Sequence, residues 1–292
     1  MNQQAKDADV APKCVIGHGD NFYWNGIDSA NGRDSRFTTT YESKFDGDNI
    51  KTLPWVNVLG NHDYGGADYI CSDGDSAGKC SDTDDLLTSL KNKFPWQSTY
   101  TSPNDDRWVL EDHFYVYSIK DEASGISIDI FNVDSGDADS HGATEVCCQC
   151  YGYAAMTLVS NWRRILPTRG RLHLWLNGHT HGENHDYSTS LGVHFVDNGA
   201  GGGIQKEYAT GSGIPTYAKD LVENLWVYDG QEYGFFSLTA SKDWLKLQYH
   251  TTDDKWSFAE SFNSTSVGGV ATKHCWYIPS DGAEGKECTS SS

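Results

Sequence analysis

The sequence has no long hydrophobic run. None of its apolar stretches approaches the roughly 20 residues that a membrane-spanning helix needs, so we expect no membrane partner. The first 13 residues, MNQQAKDADVAPK, also lack the basic and apolar segments of a secretory signal. The chain as written therefore carries no predicted signal peptide.

Basic residues are few. The chain has 22 lysines and arginines against 41 aspartates and glutamates, and its formal net charge is −19. Such a field repels the phosphate backbone of nucleic acids and the surface of anionic membranes, so neither is an expected partner. Solubility alone is sufficient reason for the acidic composition.

The sequence contains no internal repeat, and 292 residues suffice for one large α/β domain or two ordinary ones. Short apolar runs each end in a polar, glycine-containing loop, which is typical of strands that deliver polar groups to a site. The predicted strands cover residues 14–16, 53–59, 114–119, 126–133, 172–176, 193–196, 234–239 and 244–249, and the third with the fourth and the last two form hairpins. Helices are predicted at 84–94, 155–166 and, more weakly, 37–45, with surface loops at 65–85, 135–150 and 200–220.

The cysteines indicate an extracellular lineage. Of the eight, Cys71 with Cys80 and Cys275 with Cys288 are spaced as disulfide pairs. The CCQC cluster at 147–150 is too tight for a standard zinc site, so we predict disulfides there too. A glycosylation acceptor sequence at 263–265 (NST) agrees with that lineage, and the missing signal is then interpreted as an N-terminal truncation.

Three polar segments carry the chemistry. Gly19–Tyr23 (GDNFY), Gly60–Asp63 (GNHD) and Gly178–His181 (GHTH) each follow a predicted strand. Together they offer carboxylate, phenol and amide oxygens and three imidazoles, a donor set that hard divalent or trivalent ions accept. Such ions activate water for attack on phosphorus. Three unrelated polar turns are the alternative, which their order and their shared position after strands disfavour.

These segments resemble consecutive blocks of the calcineurin-like metallophosphoesterases. GDNFY, with its tyrosine three residues after the aspartate, is similar to the small purple (tartrate-resistant, type 5) acid phosphatases. The resemblance extends with gaps over residues 14–250, through RFTTTYESKF, LPWVNVLGNHDYGG, VHFVDNGAGGG and both hairpins. It implies a four-layer α/β/β/α sandwich of two mixed sheets, incomplete at the first strand.

The resemblance also implies an activity. The chain would be a monomer that hydrolyses small phosphomonoesters at acidic pH, secreted to the extracellular space or held in a vacuole or lysosome. Its centre would hold two metal ions, Fe(III) with Fe(II) or Zn(II), and a metal-bound hydroxide would attack phosphorus.

Five residues would be metal ligands by the same resemblance. Asp20 would bridge the two ions. Tyr23 and His181 would bind the ferric ion, whose charge transfer with the phenolate gives the colour. Asn61 and His179 would hold the divalent ion.

A sixth residue, His62, would lie beside the phosphate and stabilise its charge or protonate the leaving alkoxide. Two blocks of the family are absent, an aspartate several tens of residues before Asp20 and a histidine in a GHxP-like turn before Gly178. Each metal would thereby lose one ligand. His18 is a possible substitute ligand, and the alternative is that it only packs within the site.

Other histidines are weaker candidates. His141 and His185 are predicted to lie in loops, and His113 and His173 are predicted to be core residues. The acidic loop 71–85 lacks the spacing of a calcium loop and its final glutamate, so we predict a solvated loop fastened by a disulfide. The DNGAGGG segment is predicted to be a turn that lines the site.

We expect three regions: a disordered or truncated N-terminus at 1–13, a metallophosphoesterase domain at 14–262 and a C-terminal tail at 263–292 with Cys275 and Cys288. A gap in the sequence is suspected near 150–156. Two alternative functions stay open. One is a catalytically impaired relic that binds a single metal or phosphate. The other is an enzyme for nucleotides or phosphodiesters, against which Tyr23 argues.

Overall fold

The computed structural model describes residues 1–66, 68–72, 76–134, 172–179, 181–199, 221–230, 232–252 and 270–288. The chain is a mixed α/β protein that divides into two compact units, Met1–Thr168 and Arg169–Ser292. Over the described residues, every helix is too short or too polar to span a bilayer. The four-layer arrangement and the domain bounds at 14 and 262 remain predictions.

Several predictions concern residues outside the described part of the chain. They are the helix at 155–166, the loops at 135–150 and 200–220, the CCQC cluster, His141, the suspected gap near 150–156, the glycine run of DNGAGGG and the glycosylation acceptor at 263–265.

Short helical segments begin the first unit. Asn2–Asp7 forms α1, although the sequence predicts a disordered start. The Asn2 side-chain oxygen accepts a hydrogen bond from the Asn49 backbone at 2.9 Å, which orders this end. Arg33–Phe37 forms α2, and a π-helical turn over Thr38–Glu42 continues it. The weakly predicted helix is therefore present but begins four residues earlier.

The long helix α3 spans Thr83–Ser98 and confirms the helix predicted at 84–94. Its N-terminus is capped because the Asp82 carboxylate accepts from the Asp85 backbone N–H at 2.9 Å. The helix continues past its predicted end, and there the buried Gln97 side chain donates to the Asp63 carbonyl at 3.2 Å.

A parallel three-stranded sheet positions the first two motifs. Its strands are short, in the order β1 (Val15–Ile16), β2 (Trp55–Val56) and β3 (Trp108–Val109). Because the carboxyl ends of parallel strands meet at one edge, the loops after β1 and β2 lie side by side. Gly19 and Gly60 pass so closely there that a Cβ on Gly19 would lie 2.5 Å from the Gly60 nitrogen.

The first predicted hairpin is confirmed. β4 (Phe114–Asp121) and β5 (Ile126–Val133) pair antiparallel over their full length, from Phe114 opposite Val133 to Asp121 opposite Ile126. Asp134 follows directly and is buried.

An aromatic core supports this unit. Phe37 stacks on Tyr100 with ring centroids 3.7 Å apart and meets Trp108 edge-on at 4.9 Å. Phe22, from the GDNFY loop, is wholly buried and meets Phe37 at 4.6 Å. Burial of one such side chain contributes about 2 kcal/mol, so the aromatic core holds the motif loop in place.

A buried ion pair lies beside this core. Arg107 donates to Glu42 at 2.6 Å and to the Phe45 carbonyl at 2.6 Å, and its guanidinium lies 4.5 Å from the centre of the Tyr41 ring. Burial alone would raise the pKa of Glu42, but hydrogen bonds from Ser102, Asn104 and Arg107 hold it below the ordinary value.

Arg107→Met is expected to destabilise the protein by about 3–5 kcal/mol, because it leaves the Glu42 carboxylate buried without its cation. Lys51→Met is the matched control. Lys51 also meets a carboxylate, that of Asp48, at 2.6 Å, but both groups are exposed, so the free energy of unfolding should change far less than in Arg107→Met. Urea denaturation of both variants measures the difference. Equal losses would show that burial does not govern the Arg107 pair.

The described residues of the second unit form two four-stranded sheets. The first is mixed, in the order β6-β8-β7-β9, and the second is antiparallel, in the order β10-β11-β12-β13. Apolar residues of both sheets form one core around Val196, Leu247 and Ile278. The strands are β6 (Leu174–Asn177), β7 (Glu183–Ser188), β8 (Val193–Asn198), β9 (Glu223–Val227), β10 (Gly234–Ala240), β11 (Trp244–Thr252), β12 (Val270–Pro279) and β13 (Lys286–Glu287). The predicted strands at 172–176 and 193–196 and the second hairpin are confirmed.

Both predicted disulfides form. Cys71 and Cys80, nine positions apart, form a disulfide in the acidic loop. Cys275–Cys288 joins β12 to the residue after β13. Cys14 is a free thiol, and burial raises its pKa to about 11, so it is a poor nucleophile.

Candidate functional site

The predicted site residues fall into two groups. Asp20, Tyr23, Asn61 and His62 lie together in the first unit, whereas His179 and His181 belong to the second.

Asp20 is the centre of the first group. Its Oδ2 accepts from the Tyr23 hydroxyl at 2.7 Å, and its Oδ1 accepts from the His62 backbone N–H at 2.9 Å. The two motif loops therefore share the Asp20 carboxylate, since each loop donates one hydrogen bond to it. The Asp20 backbone is in the left-handed region, with φ +52°, a conformation that residues other than glycine adopt mainly at turns and functional sites. At Gly60 a Cβ would lie 2.3 Å from Asp20 Oδ1, so only glycine fits beside this oxygen.

Asp63 is a positioning residue that the sequence reasoning missed. Its carboxylate is fully buried and accepts from the backbone N–H groups of Asn21, Phe22 and Gly60 at 2.9–3.1 Å. A fourth hydrogen bond comes from the Asn21 side chain at 3.0 Å. Burial raises the pKa of Asp63 to about 7 despite these donors. Because its partners belong to both motif loops, this one side chain fixes their spacing.

Helix α3 supports the site from behind. Lys93 is buried and donates to the Asn25 carbonyl, and burial lowers its pKa to about 8.

At Gly26 a Cβ would lie 1.9 Å from the Asp63 carbonyl oxygen, and φ is +65°. The backbone thus approaches the Asp63 turn more closely than any other residue type allows.

His62 begins a 3₁₀ helix, His62–Tyr64. Its Nδ1 lies 3.4 Å from the Trp24 carbonyl oxygen, and because a carbonyl only accepts, this contact assigns the Nδ1 proton. Nε2 is then the nitrogen that can face a reacting group. The imidazole also lies 4.4 Å from the Tyr23 ring and 5.3 Å from the Trp24 ring, measured between centroids.

The other predicted ligands are placed as follows. Asn61 is almost buried, directly before the 3₁₀ helix, and His18 is half-buried between β1 and Asp20. In the second unit, His179 and His181 lie between β6 and β7. His179 is exposed and has φ +80°, a second left-handed backbone among the predicted ligands.

The prediction that His185 lies in a loop is wrong. It lies in β7, wholly buried, and forms the middle of a chain of three histidines. His185 Nδ1 is 2.9 Å from His274 Nε2, and His185 Nε2 is 2.8 Å from His194 Nδ1. We call His185, His194 and His274 the histidine chain. Alternation along β7 turns His185 inward, toward partners on β8 and β12 that no local pattern could identify.

Two histidines predicted as core residues are only partly buried. The His113 side chain is 36% exposed, with Nδ1 3.0 Å from the Asp134 carboxylate and its ring stacked on Phe94 at 3.8 Å. His173 donates from Nε2 to the Ser280 carbonyl at 3.0 Å.

The donor chemistry of the first group fits a hard cation, since it offers a carboxylate, a phenol and an amide oxygen. Over the described residues, the sole group of three carboxylate, imidazole or thiolate ligands within 4.8 Å is Cys71, Cys80 and Asp85. Both cysteines form a disulfide, so that group has no thiolate for a metal.

Comparison with known sequences finds weak similarity over most of the chain. Purple acid phosphatase 3 of Arabidopsis thaliana is 24% identical over 259 residues, which cover 81% of this chain and 64% of that relative. Purple acid phosphatase 4 of the same plant is 23% identical over 268 residues, covering 86% and 75%. A tartrate-resistant acid phosphatase type 5 of Rattus norvegicus is 40% identical over 50 residues, 17% of this chain and 15% of that relative. No protein-family model matches the chain.

Among solved structures, the chain resembles GAP50, the anchor in the inner membrane complex of Plasmodium. The TM-score is 0.51 at 12% sequence identity, and the match covers 92% of this chain and 82% of that structure. Identity this low supports a common fold and no shared function. The sequence relatives support a relationship to phosphoesterases.

Proposed function

We propose that this chain is a phosphohydrolase of the acid phosphatase type, which hydrolyses phosphomonoesters at a binuclear metal centre. The observation that carries the proposal is the position of Asp20, whose two oxygens are each held by one motif loop. The weak similarity to plant purple acid phosphatases supports it. The four-layer sandwich and the monomeric state are part of the proposal.

Asp20, Tyr23 and Asn61 would hold metal in the first unit, and His179 and His181 would contribute from the second. His18 would substitute for one lost ligand. Fe(III) with Fe(II) or Zn(II) would lower the pKa of water at the centre and withdraw charge from the phosphate.

The protein's own contribution to the reaction is to hold the ester and move one proton. Water adds to phosphorus while the bond from phosphorus to the alcohol oxygen breaks, so that the products are inorganic phosphate and an alcohol. As an imidazolium, His62 would donate its Nε2 proton to the departing oxygen while its Nδ1 proton stays on the Trp24 carbonyl, and the proton that the attacking water releases would restore the imidazolium. The His62 backbone N–H orients Asp20, and the Tyr23 hydroxyl does so in the chain without metal, before it would bind the ion as a phenolate.

Asp20→Asn is expected to lower turnover of p-nitrophenyl phosphate by about 100-fold or more and to reduce bound iron and zinc, because an amide cannot supply the anionic bridge. Asp105→Asn is the matched control, since Asp105 has the same left-handed backbone, φ +57°, in a separate turn. Elemental analysis and steady-state kinetics measure both effects. Protein purified without metal, with a rate that Asp20→Asn leaves unchanged, would refute the proposal.

A catalytically impaired relic is the second candidate. It is favoured by the scarcity of three-ligand clusters over the described residues, where the disulfide cysteines with Asp85 are the sole example. Chelation decides between the two. Activity that is lost with a chelator and restored by iron or zinc contradicts the relic, whereas metal or phosphate binding without turnover supports it.

The disulfides support the proposed location. Two bridges form in the described residues, and such bonds persist in oxidising compartments. We propose that the protein acts outside the cell or within a vacuole or lysosome.

A further inference from the structure

We propose that a cavity beside α3, in the first unit, binds a small organic anion with an apolar body, namely an apolar monocarboxylate. The cavity has a volume of about 380 Å³ and is lined by α3, by Tyr64 and by His113, which directly precedes β4. The described residues that line it include neither a predicted metal ligand nor His62. Binding here requires neither metal nor turnover and therefore goes beyond the proposed function.

One face of α3 supplies most of the apolar wall. Leu87, Leu90 and Phe94 recur at helical spacing, and all three line the cavity. The buried Tyr64, at the end of the 3₁₀ helix, adds an aromatic ring. Pockets of this volume with mainly apolar and aromatic walls hold small molecules. Since a dry cavity of about 150 Å³ with similar walls binds benzene, this cavity admits a body of more than one ring.

The charged groups of the cavity are basic. Lys91 and His113 line it, and none of the described lining residues is acidic, although acidic residues outnumber basic ones by 41 to 22 in the whole chain. Lys91 is exposed and forms no ion pair among the residues that the structure describes. Its ammonium therefore gives the mouth of the cavity a local positive charge. The field of the whole chain repels multiply charged anions, which favours a ligand with a single negative charge.

A buried carboxylate orients the imidazole of this site. The Asp134 side chain is 1% exposed, and its carboxylate lies 3.0 Å from His113 Nδ1 and accepts from the Tyr64 hydroxyl at 2.5 Å. The His113 ring also stacks on Phe94, with centroids 3.8 Å apart. A ring held by a carboxylate and by an aromatic face is ordered before a ligand arrives, so binding costs little side-chain entropy.

The two kinds of wall together define the ligand. The apolar side chains gain from covering a hydrocarbon body, whereas Lys91 gains only from an acidic group. An inorganic anion makes no use of the apolar walls, and a neutral hydrocarbon makes no use of the ammonium. An apolar monocarboxylate satisfies both. The probe 2-naphthoate has two fused rings and one carboxylate, and 2-naphthamide is its neutral counterpart.

Titration calorimetry on the full chain with 2-naphthoate, 2-naphthamide and acetate tests the site. We expect 2-naphthoate to bind with a Kd below about 1 mM, the amide to bind about fivefold more weakly, and acetate to show no binding. Methyl NMR of the wild-type complex should show contacts from the naphthalene protons to Leu87 and Leu90.

Two substitutions separate the charge from the apolar walls. Lys91→Met is expected to weaken 2-naphthoate binding about fivefold and to leave 2-naphthamide binding within about twofold, because only the carboxylate loses its partner. Lys44→Met, at another exposed lysine of the same unit, is the matched control and should change neither affinity. Leu87→Trp fills the cavity from a half-buried position and should weaken both ligands by about tenfold or more.

Several results would overturn the site. They are a 2-naphthoate Kd above about 1 mM, equal affinity for the acid and the amide, or ligand contacts that avoid the α3 methyl groups. A loss of binding in Asp20→Asn as large as that in Leu87→Trp would place the carboxylate at the proposed metal centre and would contradict the site as well. If Leu87→Trp does not fold, the methyl contacts in wild type decide. Because binding is the readout, a chain without phosphatase activity would refute the proposed function and leave this test intact.

Discussion

Lowering the pH from 7 to 4 is expected to destabilise the second unit by several kcal/mol. The reason is the histidine chain, whose members are all at most 5% exposed and, among the residues that the structure describes, bond to one another and to the Ala283 carbonyl. Aromatic rings surround it, with Trp226 stacked on His274 at 4.6 Å and Trp276 edge-on to His185 at 5.6 Å. These surroundings solvate a charge poorly.

Only one neutral arrangement of protons satisfies the chain. His194 Nε2 contacts the Ala283 carbonyl oxygen at 3.4 Å and must carry a proton, because a carbonyl cannot donate. His194 Nδ1 then accepts from His185 Nε2, and His185 Nδ1 accepts from His274 Nε2. All three rings are therefore Nε2–H tautomers. A proton added to His185 or His194 would place two N–H groups face to face.

The direction of the pH dependence follows from the pKa values. Burial lowers the pKa of His194 and of His274 to about 4, and burial together with the neighbouring rings lowers the pKa of His185 to about 2. In the unfolded chain the same groups titrate near pH ~6.5. The folded state therefore keeps full stability above that pH and loses it as the pH falls toward 4. One such histidine accounts for roughly 3 kcal/mol over this range.

His250 adds to the effect. It is wholly buried in β11, where its two nitrogens lie 2.7 Å from the Ser237 hydroxyl and 3.0 Å from the Thr272 hydroxyl, and burial lowers its pKa to about 4. Since whole domains are stable by about 5–15 kcal/mol, the sum is large enough to unfold this unit in acid.

Hydrogen exchange of the β7, β8 and β12 amides between pH 7 and 4, corrected for intrinsic rates, measures the loss directly. Side-chain nitrogen spectra should report neutral Nε2–H rings down to at least pH 5. His173→Gln is the matched control, because His173 lies in the same unit outside the chain, and its replacement should leave the pH dependence intact. Protection that stays constant to pH 4, or rings that titrate near pH 6.5, would contradict the assignment.

This instability bears on the proposed activity. The family resemblance implies a reaction at acidic pH, but the second unit should lose stability through the same range. Assays of the proposed reaction therefore have a lower pH limit that protein stability sets. A rate that falls below pH 5 would have to be separated from unfolding before it is assigned to a titrating catalytic group.

How well the sequence predicts this structure depends on how far apart in the chain the interacting residues lie. The two hairpins, α3 and both disulfides are predicted correctly, because each depends on alternation, capping or spacing within a short segment. The motif loops after β1 and β2 are also found, since glycine and polar residues end each apolar run. The length of these strands is not predicted correctly. β1 and β2 pair over only two residues each.

The candidate site shows the same limit. Asp20, Tyr23, Asn61 and His62 are predicted from their motifs, and Asp20 accepts hydrogen bonds from both Tyr23 and His62. Asp63 is missed as a positioning residue because its donors Asn21 and Phe22 lie 42 and 41 residues away in the chain. The histidine chain is missed for the same reason, since His185 and His274 are 89 residues apart. Local patterns place residues on elements, and the pairing of elements decides which side chains meet.

Asp63→Ala is expected to destabilise the first unit by about 5 kcal/mol or more, the largest effect of any single substitution near the candidate site. Removal of the carboxylate leaves the backbone N–H groups of Asn21, Phe22 and Gly60 without their acceptor, whereas the Asn21 side-chain amide keeps the Val58 carbonyl at 2.9 Å. An unsatisfied buried donor costs about 1–3 kcal/mol, and here three lose their acceptor together. The loss also frees the two motif loops from each other.

Asp63→Asn separates the two consequences. An amide of the same shape keeps one acceptor oxygen but turns an N–H₂ group toward donors, so we expect partial loss of stability and a chain that still folds at low temperature. In that variant the hydrogen bonds from Tyr23 and His62 to Asp20 should loosen, because their loops no longer share an anchor. Asp46→Ala, which removes an exposed carboxylate from the same unit, should change the free energy of unfolding by less than about 0.5 kcal/mol. Urea denaturation measures all three variants, and an Asp63→Ala protein as stable as the Asp46 control would show that these buried donors find other partners.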